Sequence, residues 1–348
     1  MTRAVPDGGL PLADVEYVLP LRWYDDSRLA ELTDYLRRLS RWVAVTVVDG
    51  SAPELFAAHR TAWPPGVRQL RPDRWSGLNG KVAGVMSGVL GASAERLVIA
   101  DDDVRYDLAG LRAVAGLLDG TDLVRPQNYY CPLPWHARWD TARTLLNRSV
   151  AADFPGTLAV RRSTLLAAGG YSGDVLFENL ELIRTVKAVG GREHVALGLY
   201  VARQPATVGH FRGQRVREAY DDFAQPGRLL LELALLPLTV WSLARPRRTL
   251  LLWGAAVALA ERGRRRAGGR SVFPPTAALW APLWVLERAV CVWLALAARP
   301  RGIPYAGQRL RSAATPTRVL RRRLRAAREA RVSPYGSPPP CGSRRSTA

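Results

Sequence analysis

Three consecutive aspartates, Asp101, Asp102 and Asp103, directly follow the apolar run Leu97-Val98-Ile99-Ala100. A short apolar run that ends in polar residues is typical of a buried strand in a mostly parallel sheet, and ligands of such sheets bind beyond the carboxyl ends of the strands. Neighbouring carboxylates repel one another unless a cation or hydrogen-bond donors compensate them. In an extended stretch Asp101 and Asp103 project to one side and Asp102 to the other. Because oxygen ligands suit Mg²⁺ and Mn²⁺, we expect a divalent metal at Asp101 and Asp103; an acidic loop or a helix N-cap is the alternative.

Two further polar stretches could take part in the same chemistry. Asp49 ends the β-branched run 42–48 and can accept hydrogen bonds from a nucleotide base or ribose, with a helix N-cap as an equally good interpretation. Asn79-Gly80-Lys81 precedes a helical stretch rich in Ala, Gly and Val, where a lysine can meet phosphate oxygens beside the helix N-terminus. Lys81 is one of only two lysines among 50 basic residues, which favours a functional position over a solvated surface one.

Strand and helix patterns alternate through the first two thirds of the chain. Apolar runs predict strands at 15–21, 42–48 and 97–100, and apolar residues at helical spacing predict helices between them. Strand, helix and strand within roughly 40 residues form the βαβ unit of a doubly wound domain. The pattern therefore predicts an α/β fold with a mixed, mostly parallel sheet.

Residues 129–155 are dense in Tyr, Trp, Pro and His. This irregular composition predicts a substrate-lining segment and not a simple core element, with aromatic packing as the alternative. The residues that we expect to line an acceptor site there are Trp135, His136, Trp139 and Asp140.

The formal net charge of +20 would normally favour a nucleic-acid partner. From Arg299 onward, however, the chain carries thirteen arginines and a single acid, Glu329, so more than half of the excess lies in the tail. Basic residues that flank apolar segments favour an anionic membrane surface, and we expect no nucleic-acid partner. The three cysteines are widely scattered, which fits a reducing compartment, and no cleaved signal peptide is expected at the N-terminus.

Three apolar segments follow Pro226, at 229–243, 249–260 and 277–298. A spanning helix needs about 20 apolar residues, and only the last segment clearly reaches that length. A re-entrant or interfacial hairpin, a crossing by short tilted helices, and buried helices of a soluble domain all remain open for the first two. We expect the following division of the chain: an N-terminal extension at 1–14, a catalytic domain at 15–225, membrane-associated helices at 226–300, a basic amphipathic region at 301–332 and a disordered tail at 333–348.

Taken in order, four stretches resemble the landmarks of family-two glycosyltransferases with a GT-A fold, over residues 15–225. These are Val47-Val48-Asp49-Gly50-Ser51 at the nucleotide-binding strand end, Asn79-Gly80-Lys81 near the donor diphosphate, Asp101-Asp102-Asp103 as the DXD motif, and Gln214-Arg215-Val216-Arg217 as the Q-x-x-R-W motif. The first motif lacks one of the family's two aspartates, and Glu218 stands where the last usually has Trp.

The resemblance implies a metal-dependent, inverting glycosyltransferase of the hexosyltransferase type, with membrane-associated helices after the GT-A domain. Donor-binding residues carried over from the family's motifs are Asp49, Lys81, Asp101, Asp102, Asp103, Gln214 and Arg217. It also implies Mn²⁺ or Mg²⁺ as cofactor, held by Asp101 and Asp103 with His210 on the far side.

The family's general base is an aspartate at a helix start, and Phe177-Glu178-Asn179-Leu180-Glu181 places Asn179 in that position. An amide cannot accept a proton at neutral pH. We expect Glu178 to act as the base, with Glu181 as the other carboxylate in reach. The remaining alternatives are an acceptor that is already an anion, such as a lipid phosphate, or a chain that has lost turnover.

The sequence therefore predicts an enzyme of the cell envelope that takes a sugar from a nucleotide-diphospho-sugar and passes it to a lipid-linked or glycan acceptor. We expect it at the cell membrane, with the catalytic domain on the cytoplasmic face. A polyprenyl-phosphate glycosyltransferase and a non-catalytic membrane scaffold are the alternatives.

Overall fold

The computed structural model describes residues 11–305 and 307–332. The expected extension at 1–14 lies mostly outside the described residues, and the expected disordered tail at 333–348 lies wholly outside them.

An eight-stranded sheet forms the centre of the molecule, in the order β3-β2-β1-β4-β7-β6-β8-β5. Its strands are β1 (Val15–Leu21), β2 (Ala44–Asp49), β3 (Val67–Leu70), β4 (Arg96–Ala100), β5 (Val104–Arg105), β6 (Leu123–Tyr130), β7 (Thr157–Arg161) and β8 (Glu193–Arg203). The strands β3, β2, β1 and β4 run parallel to one another, and β6 runs parallel to β8. Strand β7 is antiparallel to both β4 and β6, and β5 is antiparallel to β8. The predicted α/β class with a mixed, mostly parallel sheet is confirmed.

Helices cover both faces of this sheet. They are α1 (Leu29–Leu39), α2 (Pro53–Ala62), α3 (Gly80–Gly91), α4 (Leu108–Leu117), α5 (Trp135–Val150), α6 (Arg162–Ala167), α7 (Glu178–Ala188) and α8 (Val208–Tyr220). Alternate residues of β1 point to opposite faces of the sheet. Tyr17 packs with Leu36 of α1 on one face, and Val18 packs with Met86 of α3 on the other. Because both faces are buried, the strands read as continuous apolar runs, which explains why their positions were predictable.

The segment 129–155 differs from its prediction. In place of an irregular stretch it contains α5, a regular helix of 16 residues. Aromatic and polar residues obscured its pattern because the helix is packed on several sides, against the sheet and against the later helices Pro246–Arg265 and Ala281–Ala298.

The three apolar segments form α9 (Pro226–Leu243), α10 (Pro246–Arg265) and α11 (Ala281–Ala298), the last preceded by a 3-10 turn at Pro275–Trp280. Among the described residues, two stretches are long and apolar enough to cross a membrane, Pro226–Leu243 and Pro275–Ala298. All three helices also contact the rest of the fold. Helix α10 lies so close to α5 that a Cβ at Gly263 would overlap the carbonyl oxygen of Leu145.

After α11 the chain returns to the sheet domain. A small hairpin, β9 (Ile303–Tyr305) and β10 (Gln308–Leu310), precedes the final helix α12 (Thr317–Val332). Between them, Ser312 and Ala313 accept backbone hydrogen bonds from Leu176 and Phe177, immediately before α7. The basic region after 300 thus helps to hold the start of α7.

Candidate active site

The three aspartates lie between β4 and β5, at the carboxyl end of a central strand. The backbone N–H of Asp101 donates to the carbonyl of Gly156 at 2.8 Å. A Cβ at Gly156 would come within 2.8 Å of Asp101 Oδ2, so a side chain at this position would displace the Asp101 carboxylate. The antiparallel pairing of β5 with the end of β8 brings Arg203 to the same place.

Lys81 joins two carboxylates from distant parts of the chain. Helix α3 begins after Asn79, whose side chain accepts a hydrogen bond from the backbone N–H of Lys81. The Lys81 Nζ atom lies 2.5 Å from Asp101 Oδ1 and 2.5 Å from Glu178 Oε1. Burial alone would lower the pKa of Lys81, but the two carboxylates outweigh burial and raise it above its usual range. Lys81 is therefore a permanent cation between Asp101 and Glu178.

Arg203, which the sequence did not predict, bridges the first and third aspartates. Its Nε donates to Asp103 Oδ2 at 2.8 Å, and its Nη2 lies 3.4 Å from Asp101 Oδ2. Burial raises the pKa of Asp103 to about 6, with Arg203 opposing this and the charges of Asp101 and Asp102 adding to it. The other oxygen of this carboxylate, Asp103 Oδ1, is buried without a hydrogen-bond partner among the described residues.

Asp102 points elsewhere, as the alternation along an extended chain predicts. Its Oδ2 accepts a hydrogen bond from Trp23 Nε1 at 2.6 Å and lies 3.6 Å from Arg28 Nη1. The backbone N–H of Trp23 in turn donates to Ser51 Oγ. Asp102 therefore ties the aspartate loop to the ends of β1 and β2, while Asp101 and Asp103 share the other side.

The carboxylate pair Asp101 and Asp103 fits a divalent cation. The unpartnered Asp103 Oδ1 is a hard oxygen donor of the kind that Mg²⁺ and Mn²⁺ prefer. Within residues 11–305 and 307–332, no three His, Cys, Asp or Glu side chains are grouped so that they could hold a metal between them. His210 therefore does not join the two aspartates as the expected third ligand. A cation that keeps one or two protein carboxylates and takes its other ligands from phosphates and water needs no third side chain.

The start of α7 presents three predicted residues in three different settings. Glu178 is buried and contacts Lys81. The amide of Asn179 donates to the carbonyl of Pro155 at 3.0 Å. Glu181 is fully buried, and its Oε2 accepts a hydrogen bond from the backbone N–H of Thr315 at 2.6 Å. Of the three, Glu178 alone contacts the charged groups around the aspartates, and Glu181 faces the C-terminal segment instead.

Burial raises the pKa of Glu181, although the hydrogen bonds at Thr315 and the nearby arginines oppose this. The carboxyl serves to hold the segment after β10 against α7. This position corrects its assignment as a carboxylate in reach of the acceptor.

Helix α8 carries the predicted Q-x-x-R pair. The Gln214 amide contacts the His210 ring one turn earlier. The guanidinium of Arg217 lies 4.6 Å from the centre of the Tyr305 ring, in the hairpin that follows α11. No carboxylate lies within ion-pair distance of Arg217 among the described residues, so its donors are available to a ligand.

Arg215, between these two, has a different environment. It is buried, and its guanidinium contacts Asp140 at 2.6 Å, Glu218 at 3.0 Å and Glu287 at 3.5 Å. These contacts join α8 to α5 and α11. Arg215 is therefore part of the packing between helices.

Asp49 is at the end of β2 as predicted, but it is completely buried. Its oxygens accept from the Ser51 backbone at 2.9 Å and from Gln69 Nε2 at 3.0 Å, and one lies 2.7 Å from His59 Nδ1. Burial disfavours the charged carboxylate, but these hydrogen bonds outweigh burial and lower the pKa of Asp49. The carboxylate thus has internal partners in place of the predicted donor contact.

The residues expected to line an acceptor surface belong mostly to the packing of α5. Asp140 contacts Arg215, and Trp139 Nε1 donates to Glu287 at 2.8 Å. The ring of His136 is buried and contacts the carbonyl of Ala206. Only Trp135 of this group is exposed, and the packing alternative therefore accounts for the others.

Two residues of the site could not be found from the sequence. Arg203 contacts Asp103 from 100 residues further along the chain. Tyr305 contacts Arg217 from the hairpin that follows the apolar helices. The chain contains so many arginines that an isolated one gives no signal, and Tyr305 belongs to no motif.

Comparison with solved structures finds glycosyltransferases among the proteins with similar structures. A mannosyltransferase from Pyrobaculum calidifontis, in complex with GDP-Man and Mn²⁺, is 16% identical, with 95% of this chain and 83% of that chain covered and a TM-score of 0.46. Glucosyl-3-phosphoglycerate synthase from Mycobacterium tuberculosis, in complex with Mn²⁺ and UDP-glucose, is 18% identical, with 61% and 80% covered and a TM-score of 0.40. No family model matches the chain, and no curated protein matches it.

Proposed function

We propose that this protein is a membrane-associated, inverting glycosyltransferase with a GT-A fold that moves a sugar from a nucleotide-diphospho-sugar to a lipid-linked or glycan acceptor. The observation that carries the proposal is the pair Asp101 and Asp103 at the carboxyl end of β4, enclosed by the cations Lys81 and Arg203. Ligands of open α/β sheets bind at that edge. A site with both carboxylates and fixed cations suits a ligand that brings phosphates together with a metal ion.

Three side chains, Arg217, Lys81 and Tyr305, have separate roles in the proposed transfer. Arg217 supplies a guanidinium whose planar donors match phosphate oxygens, and it stabilises the negative charge that grows on the departing nucleoside diphosphate. Lys81 contacts both Asp101 and Glu178, so it fixes the distance between the aspartate loop and the start of α7. The Tyr305 ring, in the C-terminal hairpin, packs against the Arg217 guanidinium and holds it in position.

Asp101 and Asp103 are the residues that would hold Mn²⁺ or Mg²⁺. When bound, such an ion supplies positive charge to the leaving diphosphate. The lack of a partner for Asp103 Oδ1 supports this role.

Turnover by the purified full-length chain tests the proposal. We expect transfer or donor hydrolysis that requires Mn²⁺ or Mg²⁺, with a panel of nucleotide sugars and a lipid extract as acceptor. Asp103→Ala should reduce that activity about 100- to 1,000-fold, the range for loss of one electrostatic stabiliser. No turnover with any donor would instead support a non-catalytic membrane scaffold.

A polyprenyl-phosphate acceptor is the second candidate, and the position of Asn179 favours it. Its amide is bound to the Pro155 carbonyl at the place where the family has an aspartate. An acceptor that is already an anion needs no proton removed. Transfer to a polyprenyl phosphate but not to a neutral glycolipid would select this candidate.

Membrane association rests on the outer surface of α9 and α10. Large apolar side chains there are exposed, whereas Glu232 of α9 faces inward and lies 3.6 Å from Arg288 of α11 in the interior. The exposed apolar residues of α9 and α10 are Leu230, Leu231, Leu238, Val240, Trp241, Leu243, Leu250, Leu251, Trp253 and Leu259. Large apolar surfaces of this kind can mark sites of membrane contact. The cytoplasmic face of the cell membrane is the location that we propose for the catalytic domain.

A further inference from the structure

Asp221 lies directly after α8, at the start of a short 3-10 turn that ends at Ala224. It is half-buried, and its Oδ1 atom is shielded from solvent without a hydrogen-bond partner among the described residues. It follows Arg217 by four residues, so the two side chains share one face of the helix end. A buried carboxylate oxygen without a donor costs free energy, and a ligand that donates a hydrogen bond there would recover it.

The expected base on α7 is poorly suited to take a proton. Glu178 Oε1 already accepts a hydrogen bond from the ammonium of Lys81 at 2.5 Å, so this oxygen is not free to contact an acceptor hydroxyl. Asn179 has no basic group, and Glu181 is bound to the backbone of Thr315. Glu181 also has an oxygen, Oε1, without a hydrogen-bond partner among the described residues, but its side chain is fully buried, whereas Asp221 is partly exposed and lies four residues after Arg217.

We propose that Asp221 is the general base of the transfer, an inference that rests on the proposed function. Its carboxylate accepts the proton of an acceptor hydroxyl, and the acceptor oxygen forms a bond to the anomeric carbon of the sugar. The bond from that carbon to the diphosphate oxygen breaks, and the nucleoside diphosphate leaves with the electron pair. Asp221 then passes its proton to water.

The electrostatic surroundings of Asp221 support this role. Burial raises its pKa to about 7; Glu178 on α7 and Glu218 on α8 add to the effect, and Arg217 on α8 and Arg288 on α11 oppose it. A general base works best when its pKa lies near the working pH. Since only the ionised carboxylate accepts a proton, the transfer rate should rise as the pH increases through about 7.

The test compares Asp221→Asn and Asp221→Glu with Glu178→Gln in the full-length chain. The readouts are kcat over pH 5.5 to 8.5, binding of the nucleoside diphosphate with Mn²⁺, and the thermal unfolding midpoint. We expect Asp221→Asn to lower kcat about 100-fold or more and to remove the rise near neutral pH, with nucleotide binding and unfolding unchanged. Asp221→Glu keeps a carboxylate and should recover part of the rate together with the pH dependence.

Two results overturn the inference. If Asp221→Asn keeps the wild-type rate and pH profile, Asp221 takes no proton; loss of the pH-dependent rise in Glu178→Gln alone would assign the base to Glu178. If the wild-type chain binds no nucleotide and transfers no sugar, the proposed function fails and this inference fails with it. Nucleotide binding by the wild-type chain separates the two cases.

Discussion

Two clusters of opposite charges differ in how far they are closed to solvent. The open cluster comprises Lys81, Asp101, Asp103, Glu178 and Arg203, and the closed cluster comprises Asp222, Glu232 and Arg288. Side chains of the open cluster are 10–24% exposed, whereas those of the closed cluster are 0–4% exposed. Both clusters consist of carboxylates paired with basic side chains. Exposure to solvent makes the open cluster a candidate site, and its closure to solvent makes the second cluster a junction between the sheet domain and helices α9 and α11.

Breaking the closed cluster should have the largest effect on stability. Arg288→Met leaves Asp222 and Glu232 with Arg228 as their remaining shared cation, so we expect a cost toward the lower end of the about 3–5 kcal/mol that removal of one partner from a buried ion pair causes. We expect a correspondingly lower free energy of unfolding for the detergent-solubilised full-length chain in a denaturant titration.

The matched control lies in the open cluster. Asp103→Asn removes one of three carboxylates that repel one another, so it should change the free energy of unfolding by less than about 1 kcal/mol. Equal destabilisation by the two substitutions would mean that the clusters do not differ in the way we describe.

A second contrast involves two arginines of α8 that lie two positions apart. Arg217 has no carboxylate partner among the described residues and should contact the donor, so Arg217→Ala should lower kcat/KM about 10- to 100-fold, as expected for a hydrogen bond to a charged group. Arg217→Lys keeps the charge but not the planar donors and should recover only part of the activity.

Arg215→Met serves as the control for this pair. Because Arg215 contacts Asp140, Glu218 and Glu287, its loss should lower the unfolding midpoint with little change in KM for the donor. If Arg215→Met raised KM more than Arg217→Ala did, the assignment of Arg217 to the donor would be wrong.

The smallest effect concerns the apolar surface of α10. Leu250 and Leu251 are 70% and 73% exposed, and their double substitution by serine should weaken binding to vesicles of phosphatidylglycerol and phosphatidylcholine at least about tenfold. Leu90→Ser, which removes an exposed leucine from α3, should leave vesicle binding unchanged in the same flotation assay. Equal losses in the two variants would argue against α10 as the membrane surface.

The sequence predicted the parts of this fold that depend on local pattern. Strands β1 and β4 and helix α3 occur where apolar periodicity placed them, and the opposite directions of Asp102 and Asp103 follow from strand geometry alone. Helix α5 was missed because its aromatic and charged residues pack against several partners, which hides any single apolar face.

The composition of the site depended on contacts that no local pattern encodes. Asp49 has the expected position, but its hydrogen bonds with His59 and Gln69 arise from the packing of α2 and β3. Arg203 meets Asp103 only because β8 pairs with β5, and Tyr305 meets Arg217 only because the chain returns after α11. Each of these depends on tertiary structure over long separations in sequence.

Binding of a nucleoside diphosphate with and without Mn²⁺ tests the central claim most directly. Calorimetry with UDP and GDP would compare the wild-type chain with Asp103→Asn and with Asp102→Asn, whose side chain is directed to Trp23. We predict Mn²⁺-dependent binding by the wild-type chain, a loss of about 100-fold or more in Asp103→Asn and a change of less than about tenfold in Asp102→Asn. Nucleotide binding that is independent of Mn²⁺, or equal in the two variants, would contradict the assignment of Asp101 and Asp103 to the metal and donor site.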